Sequence, residues 1–479
     1  MPFSTLYYVI TNSGAFMFNI KKIHFIGICG TLMGNAAIYL QRQGYEVRGS
    51  DKAFYPPIGG MLEKENMFLY KGFDEKNLDW NPDLVIIGNA ISRGNPEAER
   101  TLNSRMNFMA LPELLKYMFI KDKNSIVVTG THGKTSTTSI ISKIFTDAEK
   151  DPSFLIGGIP VGLEGGFKNG DGDYFIIEGD EYDTAFFDKR PKFVHYKPHC
   201  CIINNIEFDH GDIYRDIDHI KLEFTRLVNI VPGNGRIIAN FDEQNVRDVT
   251  AKAFTPIDSF GQGKDCKWQI SNIRHEGDTS AFDLACEGKT VISPIVKRCG
   301  NYQIYNFTAG IIASLFYGID VTQIKRSIES FEGVKRRMEY RGKVNGAPLI
   351  EDFAHHPTAV RNVLKEVREE FHDKKIIAAF EPRSNTTKRN IFQNELAEAL
   401  SIADYIIIGK IDREDQLKND EKLDMNQLMN DIKAKGKTVV HYDDSGEIAE
   451  YIKSKTDADS VILIMTNGSF DGLFTKLGL

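Results

Sequence analysis

The chain has 479 residues, 42% hydrophobic and 26% charged, with a net charge of −7 and a pI near 5.9. That length calls for more than one core at about 100–200 residues per domain. No stretch is apolar for long enough to span a bilayer, which argues against membrane insertion, and the acidic balance supplies no overall field to gather nucleic acid. The six cysteines, at 29, 200, 201, 266, 286 and 299, show neither metal-site spacing nor a disulfide framework, which fits a reducing cytoplasm.

The opening MPFSTLYYVITNSGAFMFNI lacks the basic start and small-residue cleavage pattern of a secretory signal. Residues 1–16 are expected to be a loose extension or an upstream mis-start, with Met17 an alternative initiator. Periodicity begins at Lys21. IHFIGI, YEVRGSD, MFLYKG and LVIIGNA read as short strands with a helical NAAIYLQRQG between the first two, which predicts a parallel sheet with crossover helices. A dinucleotide fingerprint would need glycine at 27, 29 and 32. The chain has Gly27, Cys29 and Leu32, with Gly30 and Gly34 displaced, so a nicotinamide oxidoreductase loses support. Asp51, following the second strand, is a candidate ribose or base contact.

After the polar break KDKNS comes IVVTGTHGKTSTTSI, an apolar strand, a glycine turn and a helix start. The pattern matches the phosphate loop GxxxxGK[ST], whose backbone N–H groups ring the phosphates while Lys neutralises their oxygens. Val128 replaces the first glycine, leaving Gly130-Thr131-His132-Gly133-Lys134-Thr135. Lys134 is expected at the phosphates and Thr135 or Ser136 at a metal. The plainer reading is a glycine turn with an exposed lysine. YFII then leads into Glu178-Gly179-Asp180-Glu181-Tyr182-Asp183, and CCIIN into Asn205-Ile206-Glu207-Phe208-Asp209-His210. Ligands in open α/β sheets bind beyond the carboxyl ends of strands, so both acidic runs can face the nucleotide. Mg²⁺ recruits only one or two carboxylates, so most of these acids must cap, hydrogen-bond or stay solvated.

GRIIANFD, an alternating region from 255 to 297 and a helix NFTAGIIASLFYG close the second segment. A third starts near ESFEGVKRRMEYRG and repeats strand and helix with PLIEDFA, KKIIAAFEP, DYIIIGK, TVVHY and SVILIMTNG. In PTAVRNVLKEVREEF, Val360, Val363, Leu364, Val367 and Phe371 recur at helical spacing behind a Pro start. His24, His219, His275, His372 and His441 have no chemical context and read as ordinary. His210 and the His355-His356-Pro357 run, each beyond a strand, are better placed.

Taken in order, TGTHGKT, EGDEYD, NNIEFDH, GVKRRMEYRG, EDFAHHPTAV and EPRSNT resemble the motifs of the Mur ligase family, which joins amino acids or peptides to UDP-linked muramic acid. The resemblance runs from about Lys22 to the C-terminus. It implies an α/β protein of three domains: a Rossmann-like UDP-sugar domain over 17–120, a central P-loop ATP-binding domain with a mostly parallel sheet over 121–328, and a Rossmann-like C-terminal domain over 329–479 that closes over both. By the same resemblance, ATP meets Gly130, Thr131, His132, Gly133, Lys134, Thr135, Ser136, Asn306, Arg337 and His355. Mg²⁺ falls to Thr135, Glu178 and His210, and catalysis to Lys134, His210 and Arg383. Gly27, Gly30, Met33, Asp51, Asn89 and Ser92 are implied for the UDP-sugar, and Lys189, Arg190, His356, Arg383 and Ser384 for the peptide. Arg336 lies in the same cleft. One departure stands out, because relatives read GxHNxxN where this chain has Gly300-Asn301-Tyr302-Gln303-Ile304-Tyr305-Asn306.

Within the family, HFIGICGTLMG, GNAISRGNPEAE, EPRSNT, MTNGSFDG and above all EYDTAFFDKRPKFVHYKP resemble the branch that reattaches the recycled tripeptide L-Ala-γ-D-Glu-meso-diaminopimelate. The alternative is the branch that adds L-alanine to UDP-N-acetylmuramate in biosynthesis. The last stretch adds Lys189, Arg190, Lys192 and His195, a basic run expected either to draw peptide carboxylates or to be simply solvated. The implied reaction passes the γ-phosphate of ATP to the lactyl carboxylate, and the peptide amine then displaces phosphate. His210 is a candidate base, but metal ligation would occupy it, and both roles stay open. Closure is expected to turn about residues 118–125 and 325–335.

Overall fold

The computed structural model describes residues 20–54, 58–412, 414, 417 and 421–479, with the backbone of 7–10 and 15–18. Those two short segments pair antiparallel, so part of the N-terminal extension is a hairpin. The rest of the reading of residues 1–16 lies outside the described residues.

The first sheet contains Lys22–Ile26 (β1), Glu46–Asp51 (β2), Phe68–Lys71 (β3), Leu84–Ile87 (β4) and Phe108–Ala110 (β5), with helices Thr31–Arg42 (α1) and Pro96–Asn103 (α2) as crossovers. All neighbours are parallel, in the order β3-β2-β1-β4-β5. The order reverses between β1 and β4, which opens a crevice at their carboxyl ends. β1 and β4 are apolar almost without alternation because helices cover both faces of the sheet.

His24 interrupts that apolar run and is fully buried. Its Nε2 lies 2.9 Å from Glu97 Oε2, which also accepts from Ser50 Oγ at 2.7 Å, while Glu97 Oε1 accepts from Asn77 Nδ2 at 2.7 Å. This cluster fastens α2 across β1 and β2. His24 is thus a structural histidine.

The second sheet is built around Asn124–Thr129 (β6), which lies between Tyr174–Gly179 (β7) and Pro198–Ile203 (β8), parallel to both. It continues through Arg236–Asn240 (β9) and Ile257–Gly261 (β10) into antiparallel strands over 268–292. Lys134–Asp147 (α3) follows β6, and Asn301–Phe316 (α4) packs against α3. α4 starts five residues before the expected NFTAGIIASLFYG, with Gly300 as its N-cap.

The third sheet has Ala347–Asp352 (β11), Lys375–Phe380 (β12), Tyr405–Ile408 (β13), Thr438–His441 (β14) and Ser460–Met465 (β15) in the parallel order β11-β15-β12-β13-β14. Glu339–Val344 adds an antiparallel edge to β11. Helix Pro357–Glu370 (α5) begins on the proline and buries Val360, Val363, Leu364 and Val367, as the periodicity predicts. Phe371 is its C-cap.

The first connection between sheets winds as a π-helix over Leu115–Ile120 and ends at Lys121 with φ 42°. π-Helical turns recur at functional sites inside α-helices. The second, near 333–335, is tied to the loop after Ser153–Leu155 by Val161 N–H to Gly333 O and Lys335 N–H to Ile159 O, both 3.0 Å.

Replacing Glu97 by Ala strands a buried imidazole, Ser50 and Asn77. Urea unfolding should show a loss of about 3 kcal/mol. A loss below about 1 kcal/mol would mean that the cluster contributes packing alone.

Candidate active site

β6 ends in the glycine turn. Gly130 has φ 134° and Gly133 φ 83°, conformations that side chains rarely adopt. Contacts enforce the same choice: a Cβ on Gly133 would lie 2.4 Å from Asn306 Oδ1, and one on Gly130 3.1 Å from the Asn205 backbone. The turn is clamped to the segment after β8 by His132 N–H to Asn205 Oδ1, 2.8 Å, and Thr131 N–H to Asn205 O, 3.3 Å. The turn leads into α3, and the N-terminus of a helix offers backbone amides and a positive dipole end suited to an anion.

Lys134 opens α3. Its Nζ donates to Gly130 O at 2.7 Å and to both oxygens of Glu181 at 3.0 and 2.8 Å. Burial alone would lower the lysine's pKa, but Glu181, Asp180 and Glu178 outweigh it and leave it raised. Glu181 accepts from His210 Nε2 at 3.4 Å. Burial would also lower the His210 pKa, yet the bond to Glu181 and the charges of Asp209 and Glu181 push it up to about 9. The plainer reading of an exposed lysine therefore fails, since Lys134 is half-buried and tied to Glu181 and Gly130 O.

Thr135 Oγ1 donates to Glu178 Oε2 at 3.1 Å, and Gly157 N–H to Glu178 Oε1 at 2.6 Å. Burial holds the Glu178 pKa above the usual carboxylate range despite these donors. The three residues expected at the metals fall into two groups, Thr135 with Glu178, and His210 with Glu181 and Asp180; the ligand atoms of the second group lie within 4.8 Å of one another. Both offer the hard oxygen donors that suit Mg²⁺, and a cation would relieve the burial cost at Glu178.

The third sheet closes the cleft. Thr386 Oγ1 donates to Asp209 Oδ1 at 2.5 Å, Asn385 Nδ2 to Asp212 at 3.0 Å, and His356 Nε2 to Phe208 O at 3.1 Å. His356 Nδ1 faces Glu207 at 3.5 Å, and His132 Nε2 faces the same carboxylate at 3.3 Å. Burial and the nearby His132 drop the His356 pKa to about 4, so it is neutral at pH 7. Arg337 stacks on Phe353 at 4.8 Å and its charge reaches Glu178. His355 Nδ1 bonds Phe353 O at 3.0 Å. Arg383 pairs with Glu381 at 3.4 Å and Asp412 at 3.6 Å, and Ser384 Oγ shares a 2.7 Å bond with Thr387 Oγ1. A cavity of about 120 Å³ lies among Glu207, Phe208, His356 and Phe392. A larger one, about 360 Å³, sits among Ile411, Glu414, Lys422 and His441 and shares no lining residue with it.

Gly27 and Gly30 occupy the turn after β1, and Met33, in the first turn of α1, lies against Gly88. Asp51 Oδ2 accepts the Cys29 N–H at 2.9 Å and so shapes that turn. Asn89 donates to Asp183, in the two-stranded hairpin over 183–191 of the second segment, while Ser92 is exposed. The cations of the 189–195 segment are paired with nearby carboxylates. Lys189 pairs with Asp183, Arg190 with Asp188 and Lys192 with Asp180, at 2.5, 2.7 and 2.5 Å, and His195 is buried 3.0 Å from Asp188. The same stretch carries the neutralising acids, so its charge is spent locally.

The sequence reading missed Glu181 as the partner of Lys134, although it lies in the quoted acidic run three residues beyond Glu178. It also missed Thr386 and Glu366, whose partners are more than 60 residues away in sequence.

A phosphate loop flanked by acidic strand ends, between two Rossmann-like sheets, defines a nucleotide-dependent α/β enzyme. The chain matches the Mur ligase family catalytic domain over residues 22–122, the Mur ligase middle domain over 128–314 and the Mur ligase glutamate ligase domain over 336–468, and it belongs to the Mur ligase family. It is 36% identical over 458 residues to the UDP-N-acetylmuramate:L-alanyl-γ-D-glutamyl-meso-2,6-diaminoheptandioate ligase of Escherichia coli (strain K12), covering 95% of this chain and 97% of that one. It is 32% identical to the UDP-N-acetylmuramate:L-alanine ligase of Clostridium tetani, covering 95% and 97%. Among solved structures it resembles a murein peptide ligase of Psychrobacter arcticus 273-4, with TM-score 0.72 at 32% identity over 95% of this chain and 98% of that one.

His210 gives a test of this electrostatic arrangement in metal-free protein. Its folded pKa of about 9 exceeds the unfolded value of about 6.5. The stabilisation is therefore complete below about pH 6.5 and is lost as pH rises through 9. The stability gap between wild type and His210→Asn should narrow by on the order of 3 kcal/mol across that range. A gap independent of pH would show that His210 is neutral in the folded protein.

Proposed function

We propose that this chain is an ATP-dependent ligase that joins L-alanyl-γ-D-glutamyl-meso-diaminopimelate to the lactyl carboxylate of UDP-N-acetylmuramate, in peptidoglycan recycling. The observation that carries the choice of acceptor is full-length likeness to two relatives bearing that activity in their names, at 36% and 35% identity. The likeness to L-alanine ligases, at 32% identity and below, keeps L-alanine as the second reading. Residues 17–120 are assigned to the UDP-sugar, 121–328 to ATP and 329–479 to closure and the peptide. Among the described residues no helix is long and apolar enough to cross a membrane. A cytoplasmic location suits the ATP supply and six free thiols.

Attack of a carboxylate on ATP brings anions together, at about 4 kcal/mol per charge pair near 4 Å with an effective dielectric of 20. Lys134 offsets that repulsion by turning from Glu181 toward the phosphates. Thr135 and Glu178, with His210 and its acidic neighbours, would hold Mg²⁺, which supplies further charge neutralisation when bound. Loop amides and Arg337 orient the γ-phosphate; positioning and charge account for most catalysis of phosphoryl transfer.

The resulting acyl phosphate is attacked by the neutral peptide amine. A C–N bond forms, the C–O bond to phosphate breaks and the amine proton passes to a base. His210, paired with Glu181, carries a proton in this state, so it must lose that proton before it can act as a base or a metal ligand. Arg383, Ser384 and His356 face the peptide from the third sheet. Lys189 and Arg190 border it with their charge already matched.

Product mass after incubation with Mg-ATP, UDP-N-acetylmuramate and either the tripeptide or L-alanine tests the reading. The tripeptide product is expected; exclusive ligation of L-alanine would move the enzyme to biosynthesis. Lys134→Ala should lower turnover about a thousandfold or more. Retained ligation in that variant would remove the loop from the mechanism.

A further inference from the structure

α4 is a wall of the phosphate loop. Asn306 Oδ1 accepts from Thr137 Oγ1 at 3.1 Å and fills the space beside Gly133, and Asn306 Nδ2 donates to Gln303 Oε1 at 2.9 Å. The start of α4 has no side-chain cap from its own segment. The group that meets it comes from α5, on the third sheet. Glu366, buried, accepts Gly300 N–H at 2.7 Å through Oε1 and Tyr302 O–H at 2.5 Å through Oε2. A Cβ on Gly300 would stand 2.9 Å from both Glu366 Oε2 and the Tyr302 ring, so glycine is what admits the carboxylate.

We propose that Glu366, with Tyr302 and Gly300, is a closure latch: a positioning group through which the C-terminal domain, on swinging in, fixes α4 and with it Asn306 and the phosphate loop for ATP. This rests on the assignment of that loop to ATP. Tyr302 and Gln303, the two departures from the relatives' GxHNxxN, then have work to do. The tyrosine hydroxyl reaches the carboxylate of the other domain, and the glutamine orients Asn306.

The latch couples closure to protons. Glu366 faces Gly300 N–H, Tyr302 and Cys299 from the central domain, Asp352 at the end of β11 and Glu370 one turn along α5, with Lys297 and Arg298 beyond Glu370. Burial pushes its pKa up to about 7; the bonds from Tyr302 and Gly300 oppose this, while Asp352 and Glu370 add to it. In an open form it returns to about 4.3. Closure therefore takes up a proton: it is favoured most below about pH 4.3 and weakens as pH rises until Glu366 is ionised in both forms, above about 7. Gln at 366 reproduces the protonated group, accepting from Gly300 and donating to the Tyr302 oxygen, without titrating.

The test is small-angle scattering of the full-length enzyme titrated with a Mg²⁺-bound non-hydrolysable ATP analogue at pH 6 and pH 8, alongside KM for ATP and kcat. From pH 6 to 8 the nucleotide concentration for half-compaction should rise severalfold more in wild type than in Glu366→Gln. Glu366→Ala should need roughly tenfold more nucleotide than wild type at pH 6 and a smaller excess at pH 8, and Gly300→Ala roughly tenfold more at pH 6, with KM for ATP rising in step and kcat falling less than about threefold. Tyr302→Phe, the mildest change, should show a smaller shift in the same direction. Compaction of Glu366→Ala at wild-type concentrations at pH 6, a pH shift undiminished in Glu366→Gln, or no compaction of wild type would each overturn the latch. Compaction without any ligation product would instead overturn the ligase reading and leave the latch standing.

Discussion

The arrangement of the cleft follows from one half-buried cation. An ammonium drawn largely out of water needs partners, and Lys134, just beyond the end of β6, is held by both oxygens of Glu181 and by Gly130 O. The fold supplies them through strand order. β7 and β8 flank β6 in parallel register, so the acidic runs that follow both strands emerge on the same edge as the glycine turn. Glu181 then takes the lysine, His210 takes Glu181 and Glu178 takes Thr135. On the proposed reading, phosphate that drew Lys134 away would take from Glu181 its nearest counter-charge, while Asp180 keeps Lys192, so anion binding and cation binding in this cleft would favour each other.

The same reasoning explains why a third sheet is needed. Phosphoryl transfer to a carboxylate requires cations on more sides than one loop provides. Arg336, Arg337 and Arg383 all lie on or near the strands of the C-terminal sheet, and each is already oriented there. Arg336 is held by Glu351 at 2.6 Å and by Gly468 O at 2.6 Å, and Arg337 lies over Phe353. Their carriers meet the central sheet through short polar contacts at Asp209, Phe208 and Gly300 and not through a shared apolar core, which suits an interface that must open and close.

Strands, helices and the phosphate loop were legible in the sequence because each is a local pattern: an apolar run, a periodic face, a glycine at positive φ. The split of the metal donors was not, since it depends on whether His210 leans toward Glu178 or Glu181, two positions in one acidic run. The pairing of the 189–195 cations was hidden for a related reason. Counting cations along the chain ignores that the hairpin folds Asp180, Asp183 and Asp188 back onto them. Contacts between distant segments, such as Thr386 with Asp209, leave no periodic trace at all.

That self-neutralised hairpin bears on how an acceptor is chosen. Asp183, paired with Lys189, also accepts from Asn89, and Phe187 stacks edge-on against Phe108 at 5.0 Å, so the hairpin bridges the first and second sheets. A wall fixed from both sides selects by shape and by paired dipoles, because a cation already matched to a neighbour gives little long-range pull. On the proposed reading, discrimination between a tripeptide and a single amino acid would rest on the room that this wall and the C-terminal domain leave around the amine, and on whether closure can be completed with the longer acceptor in place. Acceptor choice and domain closure are in that sense one constraint, set where the central sheet meets its two neighbours.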